Sequence, residues 1–172
     1  MKKTVLLLGK GGFGMQLAEL LQSCGAAGRV LFLDDNAPDC AGKLRDFCDP
    51  ALREHCAAAY VGLGNNSLRV ELLTKLAAAG YATPAFCHPK AFLSPSARLG
   101  PGSVVLPFAY LGAGTRTGVG CILNAGAILD HDASLGDGVH LAPGAIVKAG
   151  AEVEAFAKVD SGQIVRSPWE TK

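Results

Sequence analysis

The sequence predicts two parts: an α/β half-domain of the Rossmann-like kind over residues 1–87, then a parallel β-helix over residues 88–172. Two observations predict this. Strand and helix patterns alternate around a glycine loop in the first part. From Leu93 to Ile164 the chain then repeats every six residues. Read as sixes, the repeat is LSPSAR, LGPGSV, VLPFAY, LGAGTR, TGVGCI, LNAGAI, LDHDAS, LGDGVH, LAPGAI, VKAGAE, VEAFAK, VDSGQI. Eleven of the twelve hexads open with Leu or Val, Thr117 being the exception, and eight carry Gly at the fourth position. The fifth position is small or Val in all but one, where Gln163 stands. A short fixed period means units that bury a core only by stacking. The opening aliphatic points inward, the small residue fits the crowded interior, and Gly turns the corner. Twelve hexads make about four triangular coils, and strands spaced roughly 4.8 Å apart give a prism about 19 Å tall.

In the first part, Thr4–Leu8 is an apolar run suited to a buried parallel strand. A glycine loop follows. Leu17, Leu20 and Leu21 then mark a helix over residues 15–24. Residues 29–33 form a second strand closed by Asp34-Asp35-Asn36, and residues 58–63 a third. Pro38, Gly42 and Pro50 make the intervening segment irregular. Ser67 is placed to cap a helix to Ala79 in which Glu71 and Lys75 pair four apart, and Gly80 ends it. Residues 83–87 are a short fourth strand of the same sheet. After the last hexad, Trp169, the sole tryptophan, is expected to cover the last coil.

Composition excludes several classes. A chain with 49% hydrophobic and 18% charged residues is globular, and a net charge of +1 without a basic run argues against nucleic acid as the main partner. The opening MKKTVLLLG breaks into glycines too soon for a secretory leader, and no stretch reaches the ~20 apolar residues of a membrane span. The six cysteines show no CxxC or metal-like spacing and read as reduced thiols of a cytoplasmic protein.

Three motifs carry chemistry. Gly9-Lys10-Gly11-Gly12-Phe13-Gly14 fits G-x-G-x-x-G between a strand and a helix, and Asp34 lies twenty residues beyond Gly14. Glycines let a diphosphate approach a helix N-terminus, and a carboxylate accepts ribose hydroxyls. A half-domain of this size suits a single nucleotide or nucleotide-linked sugar better than a dinucleotide; the alternative is a turn that only packs the first helix. Gly64, after the third strand, either admits a sugar or base or belongs to an Asn-capped turn. In Leu129-Asp130-His131-Asp132 an acid replaces the usual Gly. A carboxylate beside His131 fixes the ring tautomer and stabilises the imidazolium, which makes a general base; the alternative is a solvated corner histidine. His140 lies half a coil from His131, so the two leave opposite sides of one prism and share a site only across an interface. Apolar faces around Val104, Leu106, Ile128 and Ile146 point to such an assembly, a homotrimer. His88 reads as structural, and His55 receives no role.

Taken together, GKGGFG, LFLDDN, GLGNNSLR, CHPKAFLSPSARLGPG and ILNAGAILDHDASLGDGVHLAPGA resemble the sialic-acid O-acetyltransferase and UDP-4-amino-sugar N-acetyltransferase family of the NeuD/PglD type, over nearly the whole chain. The resemblance implies left-handed β-helix trimers that use acetyl-CoA. It implies His131 as general base with Asp132 raising its basicity, and His140 reaching acetyl-CoA from the neighbouring subunit. Gly11, Gly12, Phe13, Asp34, Asp35 and Gly64 would line the nucleotide-sugar pocket. Phe13 stands where the family often has His. Two further coils and a closing G-x-P-A-R type of tail are also expected by resemblance, and the chain stops short of them.

The leading expectation is therefore an acetyltransferase acting on an amine or hydroxyl of a nucleotide-linked sugar, with a main-chain N–H near Ala149-Gly150 stabilising the oxyanion. The alternative is a shortened, non-catalytic nucleotide-sugar-binding or scaffold protein that has lost its coenzyme A site. A metal-dependent β-helix enzyme of the γ-carbonic-anhydrase kind needs three histidines converging between subunits, and the repeat holds two, so no metal is expected. An NAD-dependent oxidoreductase needs a larger α/β half and a separate catalytic domain.

Overall fold

The computed structural model describes residues 3–170, which divide into two compact units between Pro84 and Ala85. In the first unit β1 (Thr4–Leu8) lies between β2 (Arg29–Leu33) and β3 (Ala58–Val61), all parallel, with Val5 opposite Val30 and Ala58. Val5 to Leu8 are buried, as a central strand covered on both faces requires. Helix α1 (Gly12–Ser23) buries Leu17, Ala18 and Leu21 on one stripe. It starts three residues before the expected Met15, because Gly12, Phe13 and Gly14 of the glycine loop already take helical geometry.

The segment read as irregular contains a 3-10 turn (Leu44–Cys48) and α2 (Pro50–His55), which Asp49 caps by accepting from Ala51 N at 2.9 Å. Helix α3 (Asn66–Ala78) is capped by Asn65, whose side chain accepts from Leu68 N at 3.0 Å, and not by Ser67. Glu71 and Lys75 pair at 2.6 Å as the spacing implied. The expected fourth strand is corrected: only Phe86–Cys87 is extended, and it pairs with Val104–Val105 in the second unit, leaving the α/β sheet with three strands.

The second unit is a parallel β-helix. Two-residue strands recur every six residues from Phe86–Cys87 to Ile164–Val165, and like positions pair eighteen residues apart, for example Ile128 with Tyr110 and with Ile146. They form two five-stranded sheets and one three-stranded sheet, the last extended by a bridge between Arg98 and Arg116. The prism thus begins one hexad before Leu93, with Cys87 and Ala91 packed against its core. The core is a ladder of inward aliphatics (Val105, Leu111, Leu123, Leu129, Leu135, Leu141, Val147) interleaved with Ala109, Cys121, Ala127, Ala133 and Ala145.

All eight fourth-position glycines have positive φ, and so do Phe108, Asp132 and Phe156, which replace Gly at the same corner. The corner geometry is therefore imposed by the stack, and three side chains tolerate it. Thr117 interrupts the aliphatic ladder because its hydroxyl accepts the Gly100 N–H at 3.1 Å inside the prism. Gln163 breaks the small-residue rule at an exposed place, where its side chain accepts from Asp160 N at 3.0 Å.

Candidate functional site

The glycine loop divides its labour. Gly9 has φ +95° and makes the turn after β1. Gly14 and Gly62 pack together: a Cβ on Gly14 would lie 2.0 Å from the Gly9 carbonyl oxygen, and one on Gly62 would lie 2.6 Å from Gly14 Cα. Gly11, Gly12 and Gly64 face open space, with no atom within 4 Å of the place a Cβ would take. Those three are the glycines that a ligand can approach; Gly62, which the motif reading passed over, is there for backbone packing. Phe13 is half-buried beside them.

Asp34 organises this edge. Its carboxylate accepts N–H bonds from Lys10 at 2.7 Å and from Asn36 and Ala37 at 2.8 Å each. These bonds, Lys10 foremost, hold its acidity below the ordinary carboxylate value. Asp34 therefore ties the glycine loop to the end of β2. Asp35 is exposed, accepts from Leu44 N at 3.0 Å, and borders a groove of about 1050 Å³ between the 43–48 turn and α3, lined also by Phe47, Leu68, Leu72 and Lys75. Gly11, Gly12, Phe13, Asp34 and Gly64 do not line that groove.

In the second unit, His131 sits at the corner between strands Ile128–Leu129 and Ser134–Leu135. Its Nδ1–H donates to Asp132 Oδ2 at 2.9 Å, which leaves Nε2 as the acceptor nitrogen of a half-exposed ring. The hydrogen bond to Asp132 raises the ring's pKa above 6.5, the charges of Asp130 and Asp132 add to the rise, and desolvation opposes it. The corner is held within its own coil and by the coil that follows. His131 N donates to Asp130 Oδ1 at 2.7 Å, and His131 O accepts from Gly150 N at 3.0 Å. The Gly150 N–H is thus already committed, and Ala149 is the member of the expected oxyanion pair that lines the site. On the coil before, a Cβ on Gly112 would meet His131 N at 2.7 Å, and one on Gly114 would meet Asp132 Oδ1 at 2.5 Å. Both glycines make room for the pair.

A cleft of about 580 Å³ opens beside His131, lined by Asp130, Ile146, Lys148, Ala149, Ser167, Trp169 and Glu170. The sequence reading missed this wall. Trp169 covers the last coil at one corner, its ring lying on Gly150, where any Cβ would strike the indole. His140 stands half-buried in another sheet, paired with Ile122 and Lys158, and does not line the cleft. Among the described residues no group of three or more His, Cys, Asp or Glu is placed to hold a metal ion. No described helix is long and apolar enough to cross a membrane.

An α/β half-domain with an open glycine edge, joined in one chain to a β-helix that carries a His–Asp corner, defines a two-part hexapeptide-repeat protein. Comparisons agree. Residues 4–76 match the family described as PglD N-terminal domain. The acetyltransferase domain of PglB from Neisseria gonorrhoeae superposes with a TM-score of 0.84 at 28% identity, over 95% of this chain and 91% of that one. The same domain in complex with acetyl coenzyme A gives 0.83 at 29% identity, over 96% and 92%. PerB from Caulobacter crescentus, solved in complex with CoA and GDP-perosamine, gives 0.82 at 29% identity, over 95% and 88%. No curated protein sequence matches. Residues 4–76 thus match the PglD N-terminal domain, and the chain over nearly its whole length is similar to sugar acetyltransferases of the NeuD/PglD type. It spans about nine tenths of the length of these neighbours, which corrects the expectation that relatives carry two further coils.

Proposed function

We propose that this chain transfers an acetyl group from acetyl-CoA to an amine or hydroxyl of a nucleotide-linked sugar. The observation that carries the reading is the His131–Asp132 pair, at 2.9 Å, with His131 lining a cleft. Asp132 keeps the proton on Nδ1, so Nε2 removes a proton from the attacking amine or hydroxyl. The nucleophile adds to the thioester carbonyl. The tetrahedral adduct then collapses, the C–S bond breaks, and the imidazolium returns its proton to the departing thiolate. Ala149, on the cleft wall, is where a main-chain N–H would meet the oxyanion. The structural neighbours with bound acetyl coenzyme A, or with CoA and a GDP-sugar, support both substrate classes.

The nucleotide-sugar is assigned to the edge built from Gly11, Gly12, Phe13, Asp34, Asp35 and Gly64. The acetyl-CoA site is completed by His140 of a neighbouring subunit in a homotrimer. Support for self-association comes from one face of the prism. Val104 and Leu106, expected on a wet apolar face, are buried within the chain. The apolar face is instead the column Phe92, Tyr110, Ile128, Ile146 and Ile164, one residue per coil, with Phe92 and Tyr110 stacked at 5.1 Å. Phe92, Tyr110 and Ile164 are exposed. Soluble monomers avoid such a patch, and the strand of Ile128 leads directly into the His131 corner.

The test is thiol release from acetyl-CoA in the presence of a UDP-4-amino-sugar or GDP-perosamine. The rate should fall at least ~100-fold in His131→Ala with an unchanged melting temperature. Equal rates would remove the general-base assignment.

A further inference from the structure

Resting on that reading, we infer that the segment after the last strand builds the donor wall of the active site, with Trp169 as the residue that contacts the acyl-thioester arm. Three observations place it there. The Trp169 ring lies on the Gly150 corner, one coil beyond the corner of His131, and both residues border the same cleft. Gly150 has φ +66° and any Cβ would strike the indole, so the corner and the ring are mutually fitted. The segment is latched by an ion pair between Lys148 and Glu170 at 2.5 Å, while the Ser167 hydroxyl accepts the Trp169 N–H at 3.4 Å.

The chemistry of the wall selects among ligands. On the side of the tail the polar groups pair with one another, Lys148 with Glu170 and Ser167 with the Trp169 backbone, while across the cleft Asp130 accepts from His131 N. The apolar part of the lining is the Trp169 indole, Ile146 and Ala149. A polyhydroxylated sugar needs several hydrogen-bond partners, and here Lys148 and Glu170 are held by each other. An acyl thioester on an alkyl-amide chain needs mainly apolar contact beside the base, which this wall supplies. The indole is 65% exposed, so a flat apolar surface is available without rearrangement.

Trp169 is the chain's sole tryptophan, so its emission reports on this wall without any turnover. Wild-type protein is titrated with acetyl-CoA by calorimetry and, in parallel, by fluorescence excited at the indole edge. A saturable emission change with the calorimetric affinity is expected. Trp169→Ala should weaken acetyl-CoA binding about tenfold, Trp169→Phe should keep most of it, and nucleotide-sugar affinity should not move in either. Calorimetric binding with no emission change, undiminished affinity in a folded Trp169→Ala, or a loss confined to the sugar would overturn the inference and leave the proposed activity standing. If wild type binds no acetyl-CoA by calorimetry, the proposed activity falls, and this inference falls with it.

Discussion

Gly114 leaves open the space that the Asp132 carboxylate fills. The two occupy equivalent corners on successive coils, and a Cβ on Gly114 would lie 2.5 Å from Asp132 Oδ1. The place of Asp132 beside His131 is therefore set by a glycine eighteen residues earlier.

Gly114→Ala should displace Asp132 from His131. Gly114 also has φ +73°, so the substitution is strained on its own account, costing about 1–2 kcal/mol. Activity should drop toward that of an Asp132 variant, and the acid limb of the pH–rate profile should move to lower pH. A stability loss with an unmoved pH profile would mean that Gly114 serves only the fold.

Asp132→Gly separates function from stability. Asp132 holds φ 59° where most coils use Gly, so Gly there should keep or raise the melting temperature, by up to about 1 kcal/mol. Activity should fall between wild type and His131→Ala. The sign of the pH effect follows from Asp132 raising the His131 pKa. The base works only when neutral, so wild-type activity is lost as pH falls through a value above 6.5, and without Asp132 that limb shifts downward.

Asp34→Asn should loosen the glycine loop, because one amide oxygen replaces two carboxylate oxygens that serve three N–H groups. A loss of about 1–3 kcal/mol in stability is expected, with weaker nucleotide-sugar binding and unchanged acetyl-CoA binding measured well below the melting temperature. Asp34 is more acidic in the folded chain than its ordinary value of 3.8. Its contribution is thus fully present above that value and lost as pH falls through the lower folded one. The gap between wild type and Asp34→Asn should be constant above about pH 5 and close in acid. A gap that widens in acid would contradict this role.

Tyr110→Glu and Ile164→Glu place charge on the apolar column and should dissociate the assembly at micromolar concentration by light scattering. If His131 and His140 serve one cleft from two subunits, mixing inactive His131→Ala and His140→Ala chains in equal amounts restores both histidines in about a quarter of clefts. Recovery near that fraction supports the shared site. An active wild-type monomer would end it.

The prism was legible because every coil repeats one steric demand, so Leu or Val, a small residue and Gly recur in phase. Even so, the hexad Cys87–Phe92 escaped, since Cys87 stands for the aliphatic and Lys90 for the glycine. The motif at Gly9–Gly14 was legible in kind, but the distinction between Gly14, packed on Gly62, and Gly11, open to a ligand, depends on a strand some fifty residues away. His131 and Asp132 are adjacent in sequence, so their pairing needed only the corner that Asp132 inherits from Gly. Local and periodic relations of this sort are what the sequence alone determined. The tertiary structure decided what lies beside them: Gly112 and Gly114 beneath the pair, and Trp169 on Gly150. The first contact comes from stacking coils; the second comes from Pro168–Glu170, which follow the last strand at the same interval but without the hexad's residue types, so the pattern does not show them.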